Sequence, residues 1–213
     1  IRAYISDACR NDLYKVYNDY SYKTIGEKAK AMLNILRQHK VPFKHLGTGT
    51  NRVAVRINGY VFKIACDDSG YEDNKTEFAY SKSLQPYVAR TYEYNGLIVV
   101  QEYVIIMNED DFKSAHWDIV ETLNKISSMG FLMIDIGYNP KNRTNWGWRM
   151  LPGGSKEPVC CDFGDIYLVD DPNIAKCGND RATEIGSDAD LCNEKMTYDT
   201  NFIGLYCPHC DKK

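Results

Sequence analysis

Phe43-Lys44-His45-Leu46, Gly47-Thr48-Gly49-Thr50-Asn51, Arg52-Val53-Ala54-Val55-Arg56-Ile57, Asn58-Gly59, Tyr60-Val61-Phe62-Lys63-Ile64-Ala65 reads as three strands joined by two turns. Val53, Val55 and Ile57 alternate with smaller or polar residues, the period of a strand with one apolar face. Asn58-Gly59 is the strongest short hairpin signal, because both residues tolerate positive φ. The turn between the first two strands is rich in glycine. A polar loop follows, and then a helix over about 71–84 that carries Glu77. Arg90 to Tyr94 and Leu97 to Gln101 read as two more strands joined by Asn95-Gly96. The expectation is a five-stranded antiparallel sheet with a helix after its third strand, hence an α+β fold.

On the N-terminal side the period changes. Ile25, Ala29, Met32, Leu33 and Leu36 recur at helical spacing, and Thr24 with Glu27 forms a capping box. Residues 1–42 therefore read as a helical arm. Five tyrosines lie between Tyr4 and Tyr22. Packing of that arm is the better reading of them, an aromatic interface the other.

On the C-terminal side residues 108–129 read as one helix. Trp117, Val120, Leu123, Asn124 and Ile126 would be its buried side, and Gly130 would end it. Phe131 to Ile134 is a short apolar strand running into Asp135. Trp146 to Met150 and Val159 to Cys161 are the arms of a hairpin, with Pro152-Gly153-Gly154-Ser155 between them and Asp162-Phe163-Gly164 after them.

The chain of 213 residues is 44% hydrophobic and 26% charged, with a net charge of −3. That balance belongs to a globular protein and excludes a collagen, a coiled-coil rod and a disordered chain. The charge supplies no basic field, so a nucleic-acid partner is not expected. The most apolar stretch, Leu97 to Met107, is broken by Gln101 and Glu102, which argues against a membrane span. The opening Ile1-Arg2-Ala3-Tyr4 does not read as a signal peptide, and its lack of Met suggests processing. The expected location is cytoplasmic.

Phosphoryl transfer from ATP needs a glycine turn over the phosphates, a lysine to neutralise them and an acid to hold that lysine. It also needs oxygen ligands for magnesium and a carboxylate to take the acceptor's proton. The sequence supplies candidates in linear order: Gly47 and Gly49, Lys63, Glu77, Asp135, Asn145 and Asp162. Each has a plainer use. Lys63 and Glu77 could be an ordinary ion pair, Asp162 a turn residue, Asp135 a loop acid, and the glycines a hairpin turn.

The ordered set resembles the protein kinase fold, and more closely its small divergent relatives, the aminoglycoside-phosphotransferase-like proteins and compact bacteriophage-encoded kinases. The resemblance covers about residues 43–169. It implies an N-lobe over 43–104 and a truncated C-lobe over 105–172. Lys63 would contact the α- and β-phosphates and pair with Glu77, and Asp162 would bind magnesium. Asn145 would hold a second metal or orient Asp135, the catalytic base. Glu102 to Val104 would be the hinge that binds adenine, with Val61 and Ala54 walling its pocket. ATP and Mg2+ are the implied cofactors.

Departures accompany the resemblance. Arg52 stands where a third glycine is expected, and Met133-Ile134 where His-Arg is expected. The usual spacing from Asp135 would put the metal-binding Asn at Pro140. Asn145 is preferred because it directly precedes the hairpin strand, with Asn142 as the alternative. Only 49 residues follow Gly164, with no Ala-Pro-Glu signature. The family thus implies two functions: an Mg-ATP-binding protein that transfers the γ-phosphoryl group to an unidentified acceptor, or an inactive pseudokinase serving as a bacteriophage assembly or docking protein, in the host cytoplasm or the virion. In the second, the arm or the C-terminal tail would contact a protein partner.

Eight cysteines, at 9, 66, 160, 161, 177, 192, 207 and 210, would allow 105 disulfide pairings. Four fall in the last 40 residues, and Cys207-Pro208-His209-Cys210 has the close spacing of a zinc knuckle. The expectation is a small zinc-ribbon-like tail over 173–213 with Cys177, Cys192, Cys207 and Cys210 as ligands of a structural Zn2+. His209 or His116 could replace Cys177. Cys160 and Cys161 read instead as small buried hydrophobes.

Overall fold

The computed structural model describes residues 1–133, 140–168, 197–199 and 204–206. The chain divides into two compact units, Ile1–Val104 and Ile105–Lys213.

In the first unit, helices α1 (Asp7–Tyr17) and α2 (Ile25–Gln38) precede strands β1 (Lys44–Thr48), β2 (Arg52–Ile57) and β3 (Tyr60–Ala65). Helix α3 (Asp68–Ser81) and strands β4 (Thr91–Tyr94) and β5 (Ile98–Glu102) follow. The five strands form one antiparallel sheet in the order β1-β2-β3-β5-β4, as expected. Asn58 and Gly59 both take positive φ, 46° and 87°, which is the twist a two-residue hairpin turn needs. The glycine turn is shorter than the sequence suggests. Gly47 and Thr48 pair with Ala54 and Val53 inside β1, past a register shift after His45.

The sheet has two different faces because side chains alternate. Val53, Val55, Ile57, Phe62, Ile64, Ile98 and Val100 form one buried cluster with Ile5, Leu13, Met32 and Leu36 of the arm. α1 and α2 therefore cover this face and share its core. Ser6 caps α1, and Thr24 and Glu27 complete the capping box of α2. The aromatic arm packs: Tyr4, Tyr14, Tyr17 and Tyr22 lie half-buried against the core, while Tyr20 is exposed. Tyr14 donates to the Asn95 carbonyl at 2.8 Å and Tyr17 to Asp68 at 2.6 Å. Burial pushes the Cys9 and Cys66 thiols up to about 11, helped by the charges of Asp12 and Asp67 respectively.

In the second unit, β6 (Ile105–Ile106), β8 (Trp146–Met150) and β9 (Lys156–Cys160) form a three-stranded sheet, and β7 (Phe131–Met133) pairs with β10 (Ile166–Leu168). β11 (Thr197–Asp199) and β12 (Gly204–Tyr206) are a further antiparallel pair. The single helix expected over 108–129 is two, α4 (Glu109–Ser114) and α5 (His116–Ser128). The break is at Ala115, whose ψ of 6° leaves the helical range although its amide still reaches the Asp111 carbonyl, which also accepts from the Ser114 hydroxyl at 2.9 Å. The buried stripe of α5 is Ile119, Val120, Leu123 and Ile126. Trp117, 67% exposed, and Asn124 lie on the outer face with Glu121, contrary to expectation. Cys160 and Cys161 are buried, as expected. No helix among the described residues is long and apolar enough to cross a membrane.

Candidate functional site

Lys63 sits in β3, the central strand. It lies opposite Ala54 on one side and Val99 on the other, on the sheet face away from the arm. Val61 and Gln101 share that face two residues along. Lys63 is only 7% exposed, and a buried ammonium needs a partner. Its partner is Glu77 of α3, which is fully buried; Lys63 Nζ donates to Glu77 Oε1 at 2.7 Å.

The same Oε1 accepts from Arg52 Nη2 at 3.1 Å. Arg52 Nη1 donates to Asn74 Oδ1 at 3.3 Å, and Nε lies 3.8 Å from Asp73 Oδ2. Asn51 Nδ2 donates to that Asp73 oxygen at 2.6 Å. Asn74 is fully buried and gives its amide protons to the Leu97 and Gly96 carbonyls at 2.9 and 3.3 Å.

α3 thus docks through a polar stripe. Gly70, Asn74, Glu77 and Ser81 are its buried residues, at helical spacing. Asp67 caps its first turn, and Ser81 Oγ receives the Thr91 amide at its last. Sequence reasoning picked out Lys63 and Glu77 but missed Arg52, Asp73 and Asn74. Arg52 was visible only as a missing glycine, and Asp73 and Asn74 only as polar residues on a helix without apolar periodicity.

The two glycines differ from simple turn residues. Neither Gly47 nor Gly49 adopts positive φ. A Cβ at Gly47 would meet nothing within 4 Å, and one at Gly49 would only touch the Arg52 carbonyl at 3.7 Å. The fold itself does not require a bare backbone at either position.

Glu102 ends β5 and pairs with Tyr60; its amide donates to the Arg90 carbonyl at 2.8 Å and its carboxylate lies 3.8 Å from Arg90 Nε. Tyr103 and Val104 follow outside the ladder, with the Arg56 guanidinium 3.9 Å from the Tyr103 ring centre.

In the second unit Asn145 and Asp162 meet at the open end of the β8–β9 hairpin. Trp146 pairs with Cys160. One residue further out, the Asn145 carbonyl accepts from the Cys161 amide at 2.7 Å and, at 3.4 Å, from that of Asp162. One amide and one carboxylate side chain thus stem from adjacent backbone, and their hard oxygen donors suit magnesium. Among the described residues no cluster of three or more His, Cys, Asp and Glu is placed to hold a metal. Asp135 and the four cysteines at 177, 192, 207 and 210 lie outside the described residues.

No protein-family model matches the chain. No curated protein matches it by sequence. Among solved structures it is similar to the Rio2 kinase-ADP/Mg2+-phosphoaspartate complex from Chaetomium thermophilum. The identity is 16% and the TM-score 0.46, over 78% of this chain and 64% of that one. The chain therefore spans less than two thirds of that protein's length.

Proposed function

We propose that this chain is a kinase-like protein that binds Mg-ATP, with Lys63 as its phosphate-neutralising cation. The observation that carries this is the Lys63–Glu77 pair: a lysine on the central strand, 7% exposed, held at 2.7 Å by a fully buried glutamate of the following helix. A hydrophobic pair would fill such a position more stably, so a charge kept there points to a use beyond stability. Gly47 and Gly49 add to it, since the fold leaves room for side chains where a phosphate cradle would not. Asn145 and Asp162 would hold the metal, which supplies charge neutralisation of the phosphates when bound. Glu102 to Val104 would receive the base.

For transfer, Asp135 takes the acceptor hydroxyl's proton, the new O–P bond forms, and the bond from the γ-phosphorus to its bridging oxygen breaks to release ADP. The second reading, a non-catalytic docking protein, rests on Arg52 in place of a third glycine and Met133 ahead of Asp135. The four C-terminal cysteines would hold a structural zinc in either case, which metal content would check.

The test is thermal unfolding with and without Mg-ATP, at constant zinc. Ligand at a hundredfold its Kd stabilises by about 2.7 kcal/mol, a rise of roughly 5–11 °C in a chain of this size. The rise should vanish in Lys63→Ala and Asp162→Ala. No rise with millimolar Mg-ATP would refute nucleotide binding. A rise without ATP consumption would favour the docking protein.

A further inference from the structure

We infer that Arg52 is a positioning residue that holds Glu77, and with it α3, in place while Lys63 engages a nucleotide; the inference rests on the Mg-ATP reading above.

The geometry is specific. Arg52 opens β2 at the end of the glycine turn, and its side chain is 8% exposed. Its guanidinium addresses three residues of α3 together: Glu77 at 3.1 Å, Asn74 at 3.3 Å and Asp73 at 3.8 Å. A planar fork with five donors can hold several acceptors at once, which a single ammonium does poorly. Its neighbour Asn51 is bound to the same helix through Asp73 at 2.6 Å, and its carbonyl accepts from the amide of Cys66, the residue after β3, at 2.8 Å. Gly70, in the first turn of α3, lies so close that a Cβ there would stand 2.3 Å from the Asn51 carbonyl oxygen. The end of the turn and the first half of α3 are one packed body.

The chemistry follows from sharing. Lys63 and Arg52 donate to one oxygen, Glu77 Oε1. A phosphate that draws on Lys63 competes with Glu77 for it. Were Lys63 alone responsible for Glu77, its diversion would strand a fully buried carboxylate, and α3 would be driven out to hydrate it. With Arg52 in place the carboxylate keeps a cation throughout. The residue at the third-glycine position thus gives up closeness to the phosphates and holds α3 assembled before nucleotide arrives.

The experiment compares the full chain with Arg52→Met and Arg52→Lys by Mg-ATP titration and by hydrogen exchange of the α3 amides, each with and without Mg-ATP. Protection of α3 in the unaltered chain should change less than about twofold on adding nucleotide. In Arg52→Met the Kd should rise about tenfold, the value for α3 in place in about one molecule in ten. Its α3 amides should exchange fast without nucleotide and slowly with it. Arg52→Lys, which keeps the charge and guards against a failure to fold, should fall between. In a Glu77→Gln background Arg52→Met should change Kd by less than about twofold. A purely structural role would lower the melting point and leave α3 exchange independent of nucleotide, which would overturn the inference. An unchanged Kd in Arg52→Met, with binding still lost in Lys63→Ala, would overturn it and leave the Mg-ATP reading standing. If the unaltered chain binds no Mg-ATP, both fall.

Discussion

Glu77→Ala should cost about 3–5 kcal/mol of folding stability. The carboxylate is fully buried, and both its cations, Lys63 and Arg52, have side chains under a tenth exposed. At 2.7 and 3.1 Å, and an effective dielectric near 20, the two gross attractions are each about 5–6 kcal/mol. Desolvation of three charges and the repulsion between the cations consume most of that, so the pairs add little over an apolar core. Removing the anion alone is different, because the desolvation costs of Lys63 and Arg52 remain while the attraction to Glu77 is lost. For a chain of this length the loss corresponds to roughly 6–20 °C in melting point. Urea unfolding of the unaltered chain and of Glu77→Ala measures it directly. A triple replacement, Arg52→Met, Lys63→Met and Glu77→Leu, should recover most of the loss, since no charge then stays buried. A cost below about 1 kcal/mol for Glu77→Ala would show that the cations remain hydrated, as in an exposed pair, and would refute the reasoning.

Gly47→Ala and Gly49→Ala should raise stability by roughly 0.4–1 kcal/mol each, because the native backbone and space accept a Cβ and the unfolded chain loses freedom. The same variants should weaken Mg-ATP binding, and a loss of stability instead would mark the glycines as turn residues only. Gly70→Ala should destabilise, since the added Cβ meets backbone at 2.3 Å, and a neutral result in urea would contradict the close approach of α3. Cys9 and Cys66, buried and with thiols pushed up to about 11, should resist iodoacetamide in the native protein at about pH 8 and react after denaturation, as peptide mass mapping would show. Burial raises Tyr94 from 10 to about 12, so the unfolded chain loses that proton first. Stability should hold below pH 10 and fall as pH rises towards 12, less steeply in Tyr94→Phe.

Much of the first unit was legible because its strands carry period-two apolar alternation and their turns carry Asn-Gly pairs, which few other conformations favour. Lys63 and Glu77 were legible for a different reason: one is a lysine inside an apolar strand, the other an acid on the next helix. Arg52 was not. Scored against a glycine pattern it looks like a loss, and only the three-dimensional return of its side chain onto α3 reveals a use. The buried stripe of α3 escaped for a related reason, since Gly70, Asn74, Glu77 and Ser81 give no hydrophobic period. The split rests on the backbone of one residue, Ala115, which carries no sequence signal for a break, and the exposure of Trp117 on which face the resumed helix turned outward. Asp135 and Cys177, Cys192, Cys207 and Cys210 lie outside the described residues.

The two helices that cover the sheet carry a consequence for biosynthesis. A domain made during translation exposes what it has before it gains what comes later. Here the cover precedes the surface it protects. α1 and α2 leave the ribosome before the strands, and Val53, Val55, Phe62 and Ile64 then emerge next to the apolar face they share with Leu13, Met32 and Leu36. Each strand finds a lid already made, so the apolar side of a partly built sheet need not wait uncovered in water. Permuting the chain so that residues 43–102 precede residues 1–42 would reverse that order and forfeit the protection. The permuted chain should refold from urea to the same stability and yet accumulate as aggregate when synthesised in cells.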